Sequence, residues 1–122
     1  MIRKEKPSKR AIGKNWEETA EQFLRAKGFE IIERNYVYNH GEIDLIAKEN
    51  EEIVFIEVKF RNNARFGLPE EFVTPKKQER IRRTAEGFAA ERNITNISCR
   101  FDVVSIHMEK GKPTITHLRN AF

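Results

Sequence analysis

Three ionisable residues stand inside otherwise apolar runs. In Gly41-Glu42-Ile43-Asp44-Leu45-Ile46 a carboxylate interrupts a strand-like stretch. In Ile53-Val54-Phe55-Ile56-Glu57-Val58-Lys59 an acid and a base lie two residues apart. Side chains alternate along a strand, so the spacing puts Asp44 on one face with Glu42 and Ile46, and Ile43 and Leu45 on the other. By the same rule Glu57 and Lys59 share a face with Ile53 and Phe55. Bulky residues on both faces mark central strands, where a charge is expensive unless something pairs with it. If the two runs form a hairpin closed by Glu49-Asn50-Glu51-Glu52, Asp44 comes to lie across from Glu57. Two carboxylates brought together repel unless a cation sits between them. An oxygen-only donor set of this kind suits Mg²⁺ or Mn²⁺. Such an ion activates water and stabilises a phosphate's developing charge, and Lys59 can orient that water or neutralise the transition state. The bland alternative is a solvent-exposed cross-strand pair, worth under about 1 kcal/mol. Apolar residues on both faces of both strands argue against it.

The elements that must position these groups are readable from periodicity. Trp16, Ala20, Phe23 and Leu24 form one apolar stripe of a helix spanning about 14–27, stopped by Gly28. Strand-spaced residues follow in Phe29 to Val37, with Asn39-His40-Gly41 as the turn. Glu42 to Lys48 and Ile53 to Phe60 are the next two strands. Thr74 reads as a helix N-cap with Pro75 at the first helical position, and the helix runs to about Arg92 behind Ile81, Ala85, Phe88 and Ala89. Ser98 to Met108 and Thr114 to Leu118 are two further strands. The order α-β-β-β-α-β-β predicts a mixed sheet flanked by helices, in a single domain over 13–122 behind a flexible basic arm over 1–12.

Charge points to a polyanion. The net charge is +4, unevenly spread. Arg3, Lys4, Lys6, Lys9 and Arg10 face only Glu5 in the first ten residues, and Lys76, Lys77, Arg80, Arg82 and Arg83 face only Glu79 in 74–83. Phosphate contacts are therefore assigned to Lys76, Lys77, Arg80 and Arg83 on the second helix, and to Arg61 and Arg65 just past the Glu57-Val58-Lys59 run. Lys77 sits four residues before Ile81, on the inward side, where it either meets a phosphate or extends along the sheet. The single cysteine, Cys99, reads as a buried thiol and allows no internal disulfide, and one thiol with His40, His107 and His117 does not make a zinc site. No run is long and apolar enough for a membrane span, and no apolar segment follows the basic N-terminus as in a signal peptide, so cytoplasm is the default expectation. Asp102, in Arg100-Phe101-Asp102, reads as a salt-bridge residue between elements.

The pattern Asp44…Glu57-x-Lys59 on adjacent strands resembles the restriction-endonuclease-like, or PD-(D/E)xK, nuclease superfamily. The chain is similar more narrowly to the YraN-type family of bacterial endonuclease-like proteins. The residues that carry the resemblance are Arg34-Asn35, Gly41 to Ile46, Phe55 to Lys59 followed by Arg61, Gly67, Val73, Lys77 and Arg100 to Val104, over roughly 13–106. The resemblance implies a three-layer α/β/α fold with a central mixed five-stranded sheet. It implies Asp44, Glu57 and the Val58 carbonyl as ligands of Mg²⁺ (or Mn²⁺), with Lys59 assisting the water. Related junction-cleaving nucleases add a glutamate on the first helix, which Glu17 matches, about 75° from the centre of the apolar stripe. Trp16 departs from the small residue expected beside it. The function implied is metal-dependent hydrolysis of phosphodiesters in DNA, branched DNA among the candidates, with self-association into a homodimer left open. The rivals are a binding module of the same fold with little turnover, and a structural protein whose basic helix docks on an acidic partner.

Overall fold

A computed structural model describes residues 9–61 and 73–122, with side chains from 16 onward. Its elements are α1 (Lys9–Ala26), β1 (Glu30–Tyr38), β2 (Gly41–Glu49), β3 (Glu52–Arg61), α2 (Pro75–Glu91), β4 (Cys99–Glu109) and β5 (Lys112–Leu118). The strands lie in chain order in one five-stranded sheet. Every neighbouring pair is antiparallel except β3 and β4, which are parallel because α2 carries the chain back across the sheet. The sheet is thus mixed, between one helix on each face. Thr74 caps α2 by accepting from the Lys77 amide, with Pro75 following, as its residue types dictate.

α1 starts at Lys9, not at 14. Periodicity misses this start because the apolar stripe begins only at Trp16, whereas Arg10, Ala11 and Lys14 are good helix formers outside that stripe. Lys9 to Ile12 therefore belong to the helix and not to an arm; residues 1–8 lie outside the described residues.

Two apolar clusters sandwich the sheet. Ala20 and Leu24 of α1 pack on Leu45, Ala47, Val54, Ile56, Val104 and Ile106. Ile81, Ala85 and Phe88 of α2 pack on Ile43, Ile46, Ile53, Phe55 and Val103. One assignment exposes an irregularity. Ile43 joins the α2 cluster with Ile46, whereas the alternation rule puts it with Leu45. On β1 the same thing happens: Arg34 reaches Glu21 of α1, while Tyr36 packs against Phe88 of α2. The period of two therefore breaks in both strands at one place, between the pairs Arg34↔Leu45 and Tyr36↔Ile43. The residues at the break are Asn35, whose φ is +50°, and Asp44. Asparagine tolerates that left-handed backbone better than most residues.

At the α1-facing end of the sheet the fully buried Asp102 accepts hydrogen bonds from the Asn120 amide at 2.9 Å and from Arg100 Nε at 3.0 Å, and His117 Nε2 lies 2.8 Å from it. Arg100 continues to Glu49 and Glu52. The expected salt-bridge role of Asp102 is what the structure shows. Burial works against its charge, but the hydrogen bonds from His117, Arg100 and the Asn120 amide together hold the carboxyl below the usual aspartate range. Asp102→Ala is expected to cost about 3–5 kcal/mol, since it leaves buried partners unmatched. A depressed acid contributes stability above its unfolded pKa and loses it as the pH falls through the folded one. Urea melts should therefore show the gap between parent and variant narrowing on acidification below the ordinary aspartate range; a gap that stays constant with pH would mean lost packing rather than lost charge.

Candidate functional site

The break at Asn35 and Asp44 also ends the pairing of β2 with β3. Their ladder runs from Glu49↔Glu52 to Leu45↔Ile56, and one further step would oppose Asp44 to Glu57, as the sequence predicts. Instead Asp44 Oδ2 accepts a hydrogen bond from the Val58 amide at 2.8 Å. A side chain thus replaces the ladder bond, and its carboxylate sits in the fork between the two strands.

Elements from both faces converge on that fork. From α1, Glu17 feels Asp44 directly. Its helix is fixed to β1 one turn further on, where Glu21 takes Arg34 through two bonds of 2.6 Å. From α2, Lys77 Nζ lies 3.5 Å from Glu57 Oε1. Lys59 follows Glu57 on the α2 side of β3 and neighbours Lys77. Trp16, at the expected small-residue position, stacks on Phe60 with ring centroids 4.1 Å apart.

The electrostatics follow from this crowding. Burial first, then the Asp44 charge and a hydrogen bond to it, push the Glu57 carboxyl up to about 8. Burial, Asp44 and Glu42 push Glu17 up to about 7. The Lys59 ammonium is pushed below the ordinary lysine range, by burial first and then by Lys77. Burial also opposes the Lys77 charge, but its contact with Lys59 and the Glu57 and Asp44 carboxylates outweigh that and raise it. Two lysines thus differ in basicity for a stated reason, and Lys59 is the one that more readily gives up its proton and stands neutral.

A cavity of about 440 Å³ opens over the fork, walled by His40, Glu42, Asp44 and Glu57 on the sheet side and by Thr74, Lys76, Lys77 and Arg80 on the helix side. The structure therefore brings together Glu17, Asp44, Glu57, Lys59 and Lys77, with Lys76 and Arg80 on the rim. Arg83 stands further along α2, mostly exposed and paired with Glu79. Arg61 ends β3 opposite His107. Arg65 lies outside the described residues. Sequence reasoning left Lys77 undecided between a phosphate and the sheet; it reaches Glu57 because the α2 crossover lays the first turn of that helix over the end of β3. Asn35, which the sequence marks only through the family resemblance and as a turn-prone residue inside a strand, is also a positioning residue. The three carboxylates are oxygen donors, yet among the described residues no three His, Cys, Asp or Glu side chains already converge as a metal-ligand set. Cys99 is exposed, not buried, because β4 only begins there, at the rim of the sheet. Among the described residues no helix is long and apolar enough to cross a membrane.

Comparison with known proteins adds a family. The pattern of "Uncharacterised protein family UPF0102" matches residues 16–106. A UPF0102 protein of Syntrophomonas wolfei is 46% identical over 93% of this chain and 98% of its own. One from Caldicellulosiruptor saccharolyticus is 42% identical over 94% and 99%. A loose match to the solved structure of Pyrococcus furiosus SfsA in complex with Ca²⁺, at 15% identity and a TM-score of 0.35 over 88% of this chain and 62% of that one, adds nothing on function.

The raised acids give a stability test. Between 4.5 and about 8 the folded chain holds on Glu57 a proton that the unfolded chain has lost. Stability must then fall as pH rises through that window. Asp44→Asn can still accept from the Val58 amide but removes the repelling charge. In EDTA it is expected to melt higher than the parent at pH 8, by about 1 kcal/mol or a few degrees, with little difference near pH 5. A variant that melts lower at both pH values would make Asp44 a purely structural residue.

Proposed function

Since the chain belongs to the uncharacterised protein family UPF0102, of the restriction-endonuclease-like superfamily, and carries two acids and a lysine at a strand fork, we propose that it is a Mg²⁺- or Mn²⁺-dependent nuclease acting on DNA. The observation that carries the reading is the Asp44–Glu57 pair beside Lys59: one acid is held protonated to about pH 8 by burial and the other acid, a charge deficit that a divalent cation relieves. Mg²⁺ binds through one or two carboxylates and keeps several waters, so a donor set of two acids suits it although no third acid has closed on the site. Asp44 and Glu57 would hold the ion with the Val58 carbonyl, and Glu17 approaches from the α1 side. When bound, such an ion lowers the pKa of a coordinated water and stabilises negative charge on a phosphate.

The chain's own groups supply the rest. Lys59 Nζ, its ammonium more easily deprotonated through burial and then Lys77, accepts a proton from the attacking water when neutral or, when charged, neutralises the phosphate as it gains charge. Lys77 holds Glu57 Oε1 and keeps its own proton. Lys76 and Arg80 on the cavity rim and Arg83 beyond it offer positive charge to the backbone of a bound strand, with Arg61, at the end of β3, and Arg65 proposed as further phosphate contacts.

Lys59→Ala is expected to lower cleavage of a labelled DNA panel in Mg²⁺ or Mn²⁺ by at least about 10²-fold while leaving DNA binding nearly intact. Cleavage at the parent rate would assign the activity to another site. Binding to duplex or branched DNA should weaken with salt at a log–log slope of about −5 for six neutralised phosphates. Replacing Lys76, Arg80 and Arg83 by Ala should flatten that slope; equal slopes would remove α2 from the binding face.

A further inference from the structure

A second cavity, of about 370 Å³, adjoins the acidic one and shares His40, Gly41 and Arg80 with it. Its remaining walls include Tyr38, Asn39, Arg83 and Thr84, and among the described residues no carboxylate lines it. The size lies within the range of small-molecule sites, and the chemistry is the Tyr38 ring, the His40 imidazole, the Asn39 amide, a hydroxyl and two guanidinium groups. Arg80 has no ion-pair partner among the described residues, and Arg83, though paired with Glu79, keeps its side chain 72% exposed.

The aromatic wall is built rigidly. Tyr38 ends β1 and pairs with Gly41 across a two-residue turn, in which Asn39 and His40 have φ of +48° and +68°. Positive φ at both central positions is the tight hairpin turn that matches strand twist. That turn is clamped on α2 at two glycines. A Cβ on Gly41 would come 2.1 Å from Thr84 Oγ1, and one on Gly87 would come within 2.5 Å of three atoms of the Tyr38 ring. A glycine inside a helix costs about 1 kcal/mol against alanine. At position 87 that cost has a visible return, because it lets the Tyr38 ring sit directly on the helix backbone. The residue nevertheless remains 38% exposed and faces the cavity. A tyrosine serving only to fill space would be covered; this one is backed on one side and open on the other.

An aromatic platform of fixed orientation, beside Arg80 with no ion-pair partner among the described residues and a mostly exposed Arg83, is what an unpaired nucleotide needs, a π-face for the base and cations for the flanking phosphates. A duplex offers its phosphates but hides its base faces, and an apolar protein surface would leave the arginines unmatched. We infer that this cavity is a nucleotide subsite, in which an unpaired base stacks on Tyr38 while its phosphates lie along Arg80 and Arg83. The inference rests on the nuclease reading for its ligand class and deepens it: the preferred DNA is single-stranded on the side of the acidic centre that the β1–β2 turn and α2 enclose.

The test uses the full chain in EDTA, so that no strand is cut, and fluorescence anisotropy with three labelled DNA hairpins of identical stem: one blunt, one with a five-nucleotide 5′ overhang, one with a 3′ overhang. The parent should bind at least one overhang more tightly than the blunt hairpin. Tyr38→Ala should abolish that preference, weakening the overhang complex about tenfold and leaving the blunt complex unchanged. Tyr38→Phe should retain it. Gly87→Ala, which displaces the ring without altering charge, should behave like Tyr38→Ala, with circular dichroism confirming that it folds. The inference is overturned if Tyr38→Ala binds all three hairpins as the parent does, or loses affinity for all three equally. The nuclease reading fails on a different result. A Tyr38-dependent overhang preference in a protein that cuts nothing in Mg²⁺ or Mn²⁺ would leave the subsite standing and the catalytic reading refuted.

Discussion

The hydrogen bond from the Val58 amide to Asp44 Oδ2 is the interaction on which the rest of the site depends. In a regular hairpin the β2–β3 ladder would continue past Leu45 and Ile56, and the Asp44 side chain would be committed to one face. With a carboxylate in place of a ladder partner, the strands open and the acid stands between the faces. That is why groups from a helix on each side feel its charge, Glu17 from α1 and Lys77, paired with Glu57, from α2. The paired irregularity at Asn35 on the neighbouring strand, with its left-handed backbone, belongs to the same distortion. A one-face acid could meet only one helix.

The same residue types behave oppositely elsewhere in the sheet. Glu49 is pushed down to about 2, mainly by Arg119 and Arg100, and Asp102 is held low within its hydrogen-bond network. Glu57 and Glu17 are pushed up to about 8 and 7 by burial and by one another's neighbour Asp44. Carboxylates matched by arginines hold the fold together. Carboxylates gathered against each other leave it with an unmet demand for positive charge, which is the usual mark of a place that binds something. Lys77 meets part of that demand, and Lys59 less of it, because burial and Lys77 push its ammonium toward the neutral form.

Much of this was legible in the sequence. The five strands and α2 fall where periodicity, Thr74 and Pro75 put them, and the hairpin around Asn50 fixes the approach of Asp44 to Glu57 by counting. What could not be read was anything that departs from regular geometry. Strict alternation sends Ile43 to the α1 face, and only the fold shows the break that returns it to α2. Lys77 was undecided because its neighbour, Glu57, depends on where the crossover lays the helix. Cys99 read as buried from its apolar surroundings, since a strand's first residue looks like any other in sequence. The seating of Tyr38 on Gly87 is a contact between elements far apart in the chain, and a glycine within a helical pattern carries no hint of the ring that covers it.

The central claim is that the fork between β2 and β3 is a divalent-cation site. Calorimetric titration of Mn²⁺ into the metal-free protein, beside Asp44→Asn, tests it without any assumption about substrate. The account expects saturable binding of one ion by the parent and its loss in Asp44→Asn while the variant remains folded. Equal binding by both proteins, or none by the parent, would contradict it.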